Sequence, residues 1–396
     1  HDARIGFAVS GVILELQEGE RNVQITVEFD AALSGVSQNK LKNNLELFCS
    51  GEKGWLGPFT PRTEIDNEDG ETVFSTDIKS ANKKISLAFQ IPKDEEAVVK
   101  YNSEVLGESF STEFPVCRVL LKTENPEGHS LYRDLVENEV KSLIVDVNVR
   151  DVKSVLLESD IGTLNPEKPF YPFGTQPVKN SNFYIDYPEL FKKEWKDFNV
   201  KFDWKNTPDS FVDLYFAYKE EFRYKLKPIN YNIGSYISLQ TNIEQVTLFN
   251  NLKDKFGIFS DTESDKRSEI TIAEYQKIVE SDSYFKAKIE VQNKEEWEPT
   301  GKTLTLFDKE DQKYTCEFDV ENDNYETDKN GPVRLSLNQS FLHDLFPRIY
   351  AVAFSGDEVK ESLIPNEPYT PMAENVLLSY SAQTSAKLEE SDFSEN

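Results

Sequence analysis

The chain has few of the residues and motifs that mark common catalytic or metal sites. Its 396 residues include three His and three Cys. The patterns HExxH, GxSxG, GxGxxG and the phosphate-binding GxxxxGK followed by Ser or Thr do not occur. The sequence therefore lacks the usual signatures of zinc proteases, serine hydrolases, dinucleotide-binding enzymes and P-loop ATPases. We expect no catalytic residue, no cofactor and no bound metal.

Cysteine pairs with short spacing are also missing. Cys49, Cys117 and Cys316 are far apart in sequence and odd in number. This usage favours buried, separate thiols in a reducing compartment over a disulfide framework.

Basic residues are in the minority. There are 44 Lys and Arg against 71 Asp and Glu, and the net charge is −27. Phosphate backbones and anionic membranes are bound mainly through Lys and Arg, so neither is an expected partner. No run of about 18 apolar residues is present, and no transmembrane helix is predicted. The acidic charge favours solubility or a partner with a basic face.

Aromatic residues, by contrast, are abundant. The chain has 27 Phe and 17 Tyr, which favour pleated, half-buried surfaces. Alternating apolar and polar residues predict a hairpin over residues 5–29 and strong strands over 116–122 and 141–149. The same pattern predicts that 303–307 pairs with 314–320.

These patterns predict a mainly β chain with short helices, containing β-sandwich modules joined by proline-rich connectors. The chain starts at His1 without Met, and we expect it to be a piece of a longer polypeptide, with the strand at 376–380 leading into a part beyond it. The predicted modules are an N-terminal β-sandwich (1–115), a β-rich connecting module (116–165), a Pro-Phe arm with a small α+β module (166–218), a variable or inserted β-rich domain (219–335), and a short helix, proline connector and exit strand (336–396).

Two segments combine proline with aromatic residues. Residues 166–177 contain four prolines around Phe170, Tyr171 and Phe173, and residues 365–371 contain three prolines in seven positions. Proline fixes φ and has no N–H to donate, so neither segment can be a central strand. We expect two stiff connectors, the second preceded by a short helix within 340–354.

The acidic residues offer only weak candidates for chemistry. Asp319, Glu321 and Asp323 have a calcium-like spacing, but Asn324 and Asn330 stand where an EF-hand loop needs Gly and Glu. A solvated acidic loop is the favoured interpretation. A hydrolase with paired carboxylates is a further hypothesis, although no pair stands out.

The four tryptophans support two interpretations. Trp55, Trp195, Trp204 and Trp297 lie beside strand or helix patterns, which favours packing. Sugar-binding sandwiches use similar rings, so an adhesin or carbohydrate-binding module is the alternative function.

Several separated segments together resemble one family, the baseplate wedge proteins of contractile injection systems, which are related to phage baseplate-J and wedge components. They follow the family's order along nearly the whole chain, with no match over 219–280, and Tyr171 and Thr175 replace commoner residues of the Pro-Phe motif. The matching segments are RIGFAVSGVILELQEGERNVQITVEFD, FPVCRVLL, GTLNPEKPFYPFGTQPVKNSNFYI, EEWEP, LTLFD, FLHDLFPRIYAVAF and LIPNEPYTPMAENVLLSYSA.

The resemblance implies a non-enzymatic structural subunit in a six-fold ring of wedges around a hub, beneath the contractile sheath. Implied partners are a paralogous wedge protein, the hub or spike, and the sheath or its adaptor, with no nucleic acid and no direct membrane insertion. Assembly would take place in the cytoplasm, with extracellular release of the particle left open.

The same resemblance assigns interface roles to both proline-rich segments. Phe170 and Phe173 are predicted to be anchors in a groove of a neighbouring subunit or of a flanking domain. The full predicted interface set is Pro169, Phe170, Pro172, Phe173, Gly174, Pro177, Phe183, Tyr184, His343, Phe346, Pro347, Pro365, Asn366, Pro368, Tyr369 and Pro371.

Overall fold

The computed structural model describes residues 5–67, 69–79, 81–107, 110–122, 126–215, 285–310, 313–322, 331–343 and 366–387. These residues form a mainly β fold with antiparallel strand pairing, which confirms the predicted fold class.

Strands account for most of the regular structure. They are β1 (Gly6–Ser10), β2 (Glu20–Phe29), β3 (Leu45–Ser50), β4 (Trp55–Phe59), β5 (Glu64–Asp66), β6 (Thr72–Ser75), β7 (Asp77–Lys79), β8 (Lys84–Ile91), β9 (Val116–Leu121), β10 (Val140–Val152), β11 (Leu156–Ser159), β12 (Gly162–Leu164), β13 (Asn182–Asp186), β14 (Trp195–Lys205), β15 (Lys286–Asn293), β16 (Glu296–Thr305), β17 (Asp308–Glu310), β18 (Lys313–Glu321), β19 (Val333–Leu337) and β20 (Met372–Lys387).

The described helices are short. They are α1 (Gln38–Asn44), α2 (Ser103–Leu106), α3 (Pro126–Val136), α4 (Pro188–Phe191) and α5 (Phe211–Leu214), with one 3-10 turn at Val12–Leu14. Ser37 caps α1, since its side chain accepts a hydrogen bond from the Lys40 N–H. None of these helices is long and apolar enough to cross a membrane.

Three larger sheets share one contiguous core. The eight-stranded sheet has the order β17-β18-β14-β20-β10-β2-β8-β7, the six-stranded sheet β12-β11-β13-β19-β15-β16, and the four-stranded sheet β1-β9-β3-β4. A two-stranded sheet joins β5 to β6. Along β2, Val23, Ile25, Val27 and Phe29 are buried on one face, as the alternation predicts.

Two predicted pairings are wrong. Residues 5–29 do not form a hairpin, because β1 pairs with β9 in one sheet and β2 pairs with β8 and β10 in another. Residues 303–305 belong to β16, which pairs with β15, whereas β18 forms its hairpin with β17. Alternation fixes which face of a strand is buried, but it does not specify the partner strand.

The strand predicted at 376–380 is part of β20, and its continuation into a part beyond this chain stays a prediction. β20 lies between β14 and β10 and pairs with both. Val376, Leu378 and Tyr380 on its inner face are 1–3% exposed. It is therefore a central strand of the largest sheet.

The eight-stranded sheet takes strands from all five predicted modules. β2, β7 and β8 come from 1–115, whereas β20 comes from 336–396. The predicted boundaries thus fall between strands that share a sheet, and the division into modules stays a prediction. Residues 216–284 lie outside the described residues, as does most of the helix predicted within 340–354.

Candidate interaction site: the seam between two proline-rich segments

The two proline-rich segments contact each other. We call residues 169–177 the Pro-Phe arm and residues 366–371 the proline connector. The Phe170 N–H donates to the Ala373 carbonyl (3.0 Å), and the Ala373 N–H donates to the Phe170 carbonyl (2.9 Å). The Thr370 hydroxyl donates to the Thr175 carbonyl (3.3 Å). The arm is thus hydrogen-bonded to the start of β20, and we call this junction the seam.

Two phenylalanines of the arm occupy a groove of the same chain. Phe170 and Phe173 are each 5% exposed. The Phe170 ring stacks on Phe183 (centroids 6.0 Å apart), and Phe173 meets Phe183 edge-on (6.1 Å). Phe183 on β13 in turn contacts Phe202 on β14 (5.8 Å). The arm therefore packs where the six-stranded sheet meets the eight-stranded sheet.

Tyr369 is the main buried contact of the proline connector. Its N–H donates to the Tyr215 hydroxyl oxygen (3.3 Å), and its own hydroxyl donates to the Lys205 carbonyl (3.0 Å). The Tyr215 hydroxyl donates to the Phe341 carbonyl (3.1 Å). Burial raises the pKa of Tyr369, so it stays a neutral hydrogen-bond donor.

An aromatic cluster surrounds Tyr369. The rings of Phe285 and Phe341 stack with centroids 4.1 Å apart and nearly parallel planes. Phe307 lies 5.5 Å from Tyr369, and Phe211 lies 5.4 Å from it. Such contacts add to the free energy gained by burying the rings, by about 0.5–1.5 kcal/mol per pair.

His343 links the segment after β19 to the connector. Its Nε2 lies 2.8 Å from the Thr370 hydroxyl oxygen. That hydroxyl gives its hydrogen to Thr175, so the imidazole Nε2–H must donate and Nδ1 carries no proton. Nδ1 is buried without a partner among the described residues. Burial accordingly lowers the pKa of His343 to about 4.

The other predicted interface residues vary in exposure. Pro172, Pro177 and Pro371 are buried, as is Gly174, whose φ of 80° suits glycine. Pro169 and Asn366 are exposed, and Pro368 is half-buried. Tyr184 lies on the opposite face of β13 from Phe183 and contacts Trp297 (5.7 Å), so it is not part of the seam. Phe346, Pro347 and Pro365 lie outside the described residues.

A buried ionic cluster lies beside β20 of the eight-stranded sheet and was not predicted. Lys193 Nζ donates to Glu189 Oε1 (3.1 Å), the Glu15 carbonyl (2.6 Å) and the Tyr380 hydroxyl oxygen (2.7 Å). The side chains of Lys193 and Glu189 are 0% and 1% exposed. Burial lowers the pKa of Lys193, and the Glu189 charge opposes that shift.

The remaining oxygen of Glu189 is also satisfied. Its Oε2 accepts from the Tyr187 hydroxyl and from the Gln17 N–H, both at 2.9 Å. The cluster therefore ties the segment before β2, the region of α4 and strand β20 together. Spacing of i, i+4 between Glu and Lys is typical of exposed helix pairs, so the sequence carries no signal that this pair is buried.

The tryptophans pack within the chain. Trp195 and Trp204 are buried, which confirms the packing interpretation for these two. Trp55 and Trp297 are half-buried, and each has an arginine guanidinium over its ring: Arg118 lies 3.7 Å and Arg334 4.4 Å from the respective centroids.

The acidic candidates do not form a cation site within the described ranges. Asp319 accepts a hydrogen bond from the Asn199 side chain (2.7 Å), and Asp323 lies outside those ranges. No group of three His, Cys, Asp or Glu side chains among the described residues is placed to hold a metal ion.

The cysteine prediction is confirmed in one respect and wrong in another. All three thiols are free and buried, as expected. Cys49 and Cys117 are nevertheless not separate, because β3 and β9 are neighbours and bring the two side chains into contact.

No protein-family model matches the chain, and no curated protein matches it. The family resemblance therefore stays a prediction that has to be tested by experiment.

Proposed function

We propose that this chain is a structural wedge subunit of the baseplate in a contractile, phage-tail-like injection particle. In this role it joins the hub, a partner wedge protein and the sheath, and it transmits the trigger for contraction. The observation that supports the proposal best is the seam. The two segments that most resemble wedge proteins, 195 residues apart between Thr175 and Thr370, pack together as a joint and carry no reactive group.

The seam is suited to transmitting force. The arm is hydrogen-bonded to Ala373, the second residue of β20. β20 pairs with β14 over residues 372–382 and with β10 over residues 378–387. A force on the arm therefore acts on β20, which is held by hydrogen bonds to both neighbouring strands. The arm itself is rich in proline, so it bends less than a flexible linker would. A subunit that relays a mechanical signal needs such a stiff joint.

The exposed side chains beside the arm are our candidates for contact with a neighbouring wedge. Ile161, at the turn between β11 and β12, is 76% exposed, and Tyr171 and Val178 of the arm region are 38% and 40% exposed. A Cβ atom placed on Gly174 would lie 3.9 Å from Ile161 Cδ1, so Ile161 lies next to the arm. Exposed apolar side chains that form a contiguous patch mark protein contacts, and Ile161 is the most exposed candidate next to the arm.

Deletion of the gene, followed by electron microscopy of the particles, tests the proposal. We expect tubes or sheaths without an assembled baseplate, and complementation with the wild-type gene should restore complete particles. Normal, contractile particles in the deletion strain contradict the proposal.

Complementation with the Ile161→Asp variant separates assembly from folding. Ile161 is exposed, so the variant should fold with a free energy of unfolding within about 0.5 kcal/mol of wild type. If Ile161 contacts a neighbouring wedge, the new charge should reduce the number of complete particles. Wild-type particle numbers with Ile161→Asp exclude this contact but leave the deletion test unaffected.

A further inference from the structure

Cys49 and Cys117 lie directly opposite each other on neighbouring strands. In the pairing of β3 with β9, Leu47 faces Val119 and Cys49 faces Cys117. Both cysteines are 0% exposed. The Sγ atoms of Cys49 and Cys117 lie next to each other. The pairing brings together two residues that are 68 positions apart in the sequence.

The backbone geometry at this position suits a disulfide. Residues opposite each other on antiparallel strands have Cα atoms about 4.5–5.5 Å apart, within the range of about 4.4–6.8 Å that disulfides require. The strands would not have to move to another register. Cys316 provides a contrast, because it lies on β18 in the eight-stranded sheet, away from the other two.

We propose that Cys49 and Cys117 are a redox-sensitive pair, reduced in a reducing compartment and joined as a cross-strand disulfide after reaction with a low-molecular-weight disulfide. This inference is independent of the proposed baseplate function.

The reaction proceeds by two thiol–disulfide exchanges. The thiolate of one cysteine attacks a sulfur of the small disulfide, which forms a mixed disulfide and releases one small thiolate. The second cysteine, as its thiolate, then attacks the protein sulfur of the mixed disulfide. The Sγ–Sγ bond forms and a second small thiolate leaves. The protein loses two electrons and two protons, and the small disulfide is reduced to two thiols.

Access controls the rate of this reaction. β1 flanks β9, and β4 flanks β3, so the cysteine pair lies in the two central strands of its sheet. Burial also raises the pKa of Cys117, which reduces its thiolate fraction. Oxidation should therefore require transient opening of the β3–β9 pairing and should become faster at low concentrations of denaturant.

The disulfide would close a loop that passes through a second sheet. The chain between Cys49 and Cys117 contains β4 to β8, and β7 and β8 belong to the eight-stranded sheet. A crosslink that closes a loop of this length restricts the unfolded chain. We expect the melting temperature to rise by roughly 5–10 °C after oxidation.

Oxidation of the purified full-length chain tests the proposal. The protein is incubated with oxidised glutathione in dilute urea. It is then unfolded in concentrated urea in the presence of iodoacetamide, which alkylates the free thiols, and is analysed by intact mass and peptide mapping. We expect a Cys49–Cys117 linkage, one alkylated thiol at Cys316 and the higher melting temperature. The Cys316→Ser variant is the matched control and should form the same linkage.

Two results would overturn the proposal. The first is three alkylated thiols in the wild-type chain after long oxidation, with melting unchanged. The second is linkage through Cys316 as the main product. Neither comparison requires a substitution in the four-stranded sheet, so a failure to fold cannot obscure the answer. Cys117→Ser should additionally abolish the linkage wherever that variant folds.

Discussion

Replacing Phe170 with Ala tests whether the seam is a firm joint. The Phe170 ring is 5% exposed and stacks on Phe183, which is fully buried. Truncating a buried Phe to Ala costs about 3–5 kcal/mol, because contacts are lost and a cavity remains. Folded proteins are stable by about 5–15 kcal/mol. The variant should therefore remain folded but should open the seam far more often.

Hydrogen exchange at two backbone amides reports that opening directly. The N–H groups of Phe170 and Ala373 each donate across the seam. They exchange with solvent only when the seam opens, either locally or with the whole fold. A loss of 3–5 kcal/mol corresponds to roughly 10²- to 4 × 10³-fold faster exchange at the Ala373 amide, at about 1.4 kcal/mol per factor of ten.

Tyr171→Ala is the matched control for Phe170→Ala. Tyr171 is the next residue of the arm and is 38% exposed, so its truncation should change the free energy of unfolding by less than about 0.5 kcal/mol. If the Ala373 amide exchanges at the same rate in Phe170→Ala, in Tyr171→Ala and in the wild type, the Phe170 ring does not stabilise the seam and our reasoning is refuted.

Two further predictions concern buried charge. Lys193→Met should lower the free energy of unfolding by about 3–5 kcal/mol, because Glu189 is left buried without its cation. Lys192→Met is the control and should have little effect, since the Lys192 side chain is 57% exposed. Equal urea midpoints for the two variants would show that the Lys193–Glu189 pair does not stabilise the fold. Burial lowers the pKa of His343 to about 4. Between about pH 6.5 and pH 4 the unfolded chain therefore binds more protons at this residue than the folded chain does. The contribution of His343 to stability should fall through this window as the pH falls, and should level off below it. Urea midpoints measured for wild type and His343→Gln should converge as the pH falls from 7 to 5, and parallel curves would show that His343 does not contribute.

The sequence predicted the strands better than their partners. Alternation in β2 identified its buried face, because a period of two follows from the geometry of a strand. The pairing of β20 between β10 and β14 could not be predicted in this way. Sheet order depends on long-range packing, and a strand with the same alternation fits several neighbours.

The candidate site was predicted only in part. Proline content indicated two stiff segments, because the restriction on φ is local to each proline. The pairing of the Pro-Phe arm with Ala373 could not be predicted in this way, because it depends on contacts between distant parts of the chain. The Lys193–Glu189 cluster shows the same limit, since local spacing cannot distinguish a buried ion pair from one on a helix surface.

Cryo-electron microscopy of purified tail-like particles tests the central claim most directly. We expect density beneath the sheath, repeated around the six-fold axis, that fits the eight-stranded sheet with the Pro-Phe arm paired to β20. Mass spectrometry of the same particles should identify this chain together with wedge, hub and sheath proteins. Contractile particles with complete baseplates that contain no copy of this chain would contradict its proposed role as a wedge subunit.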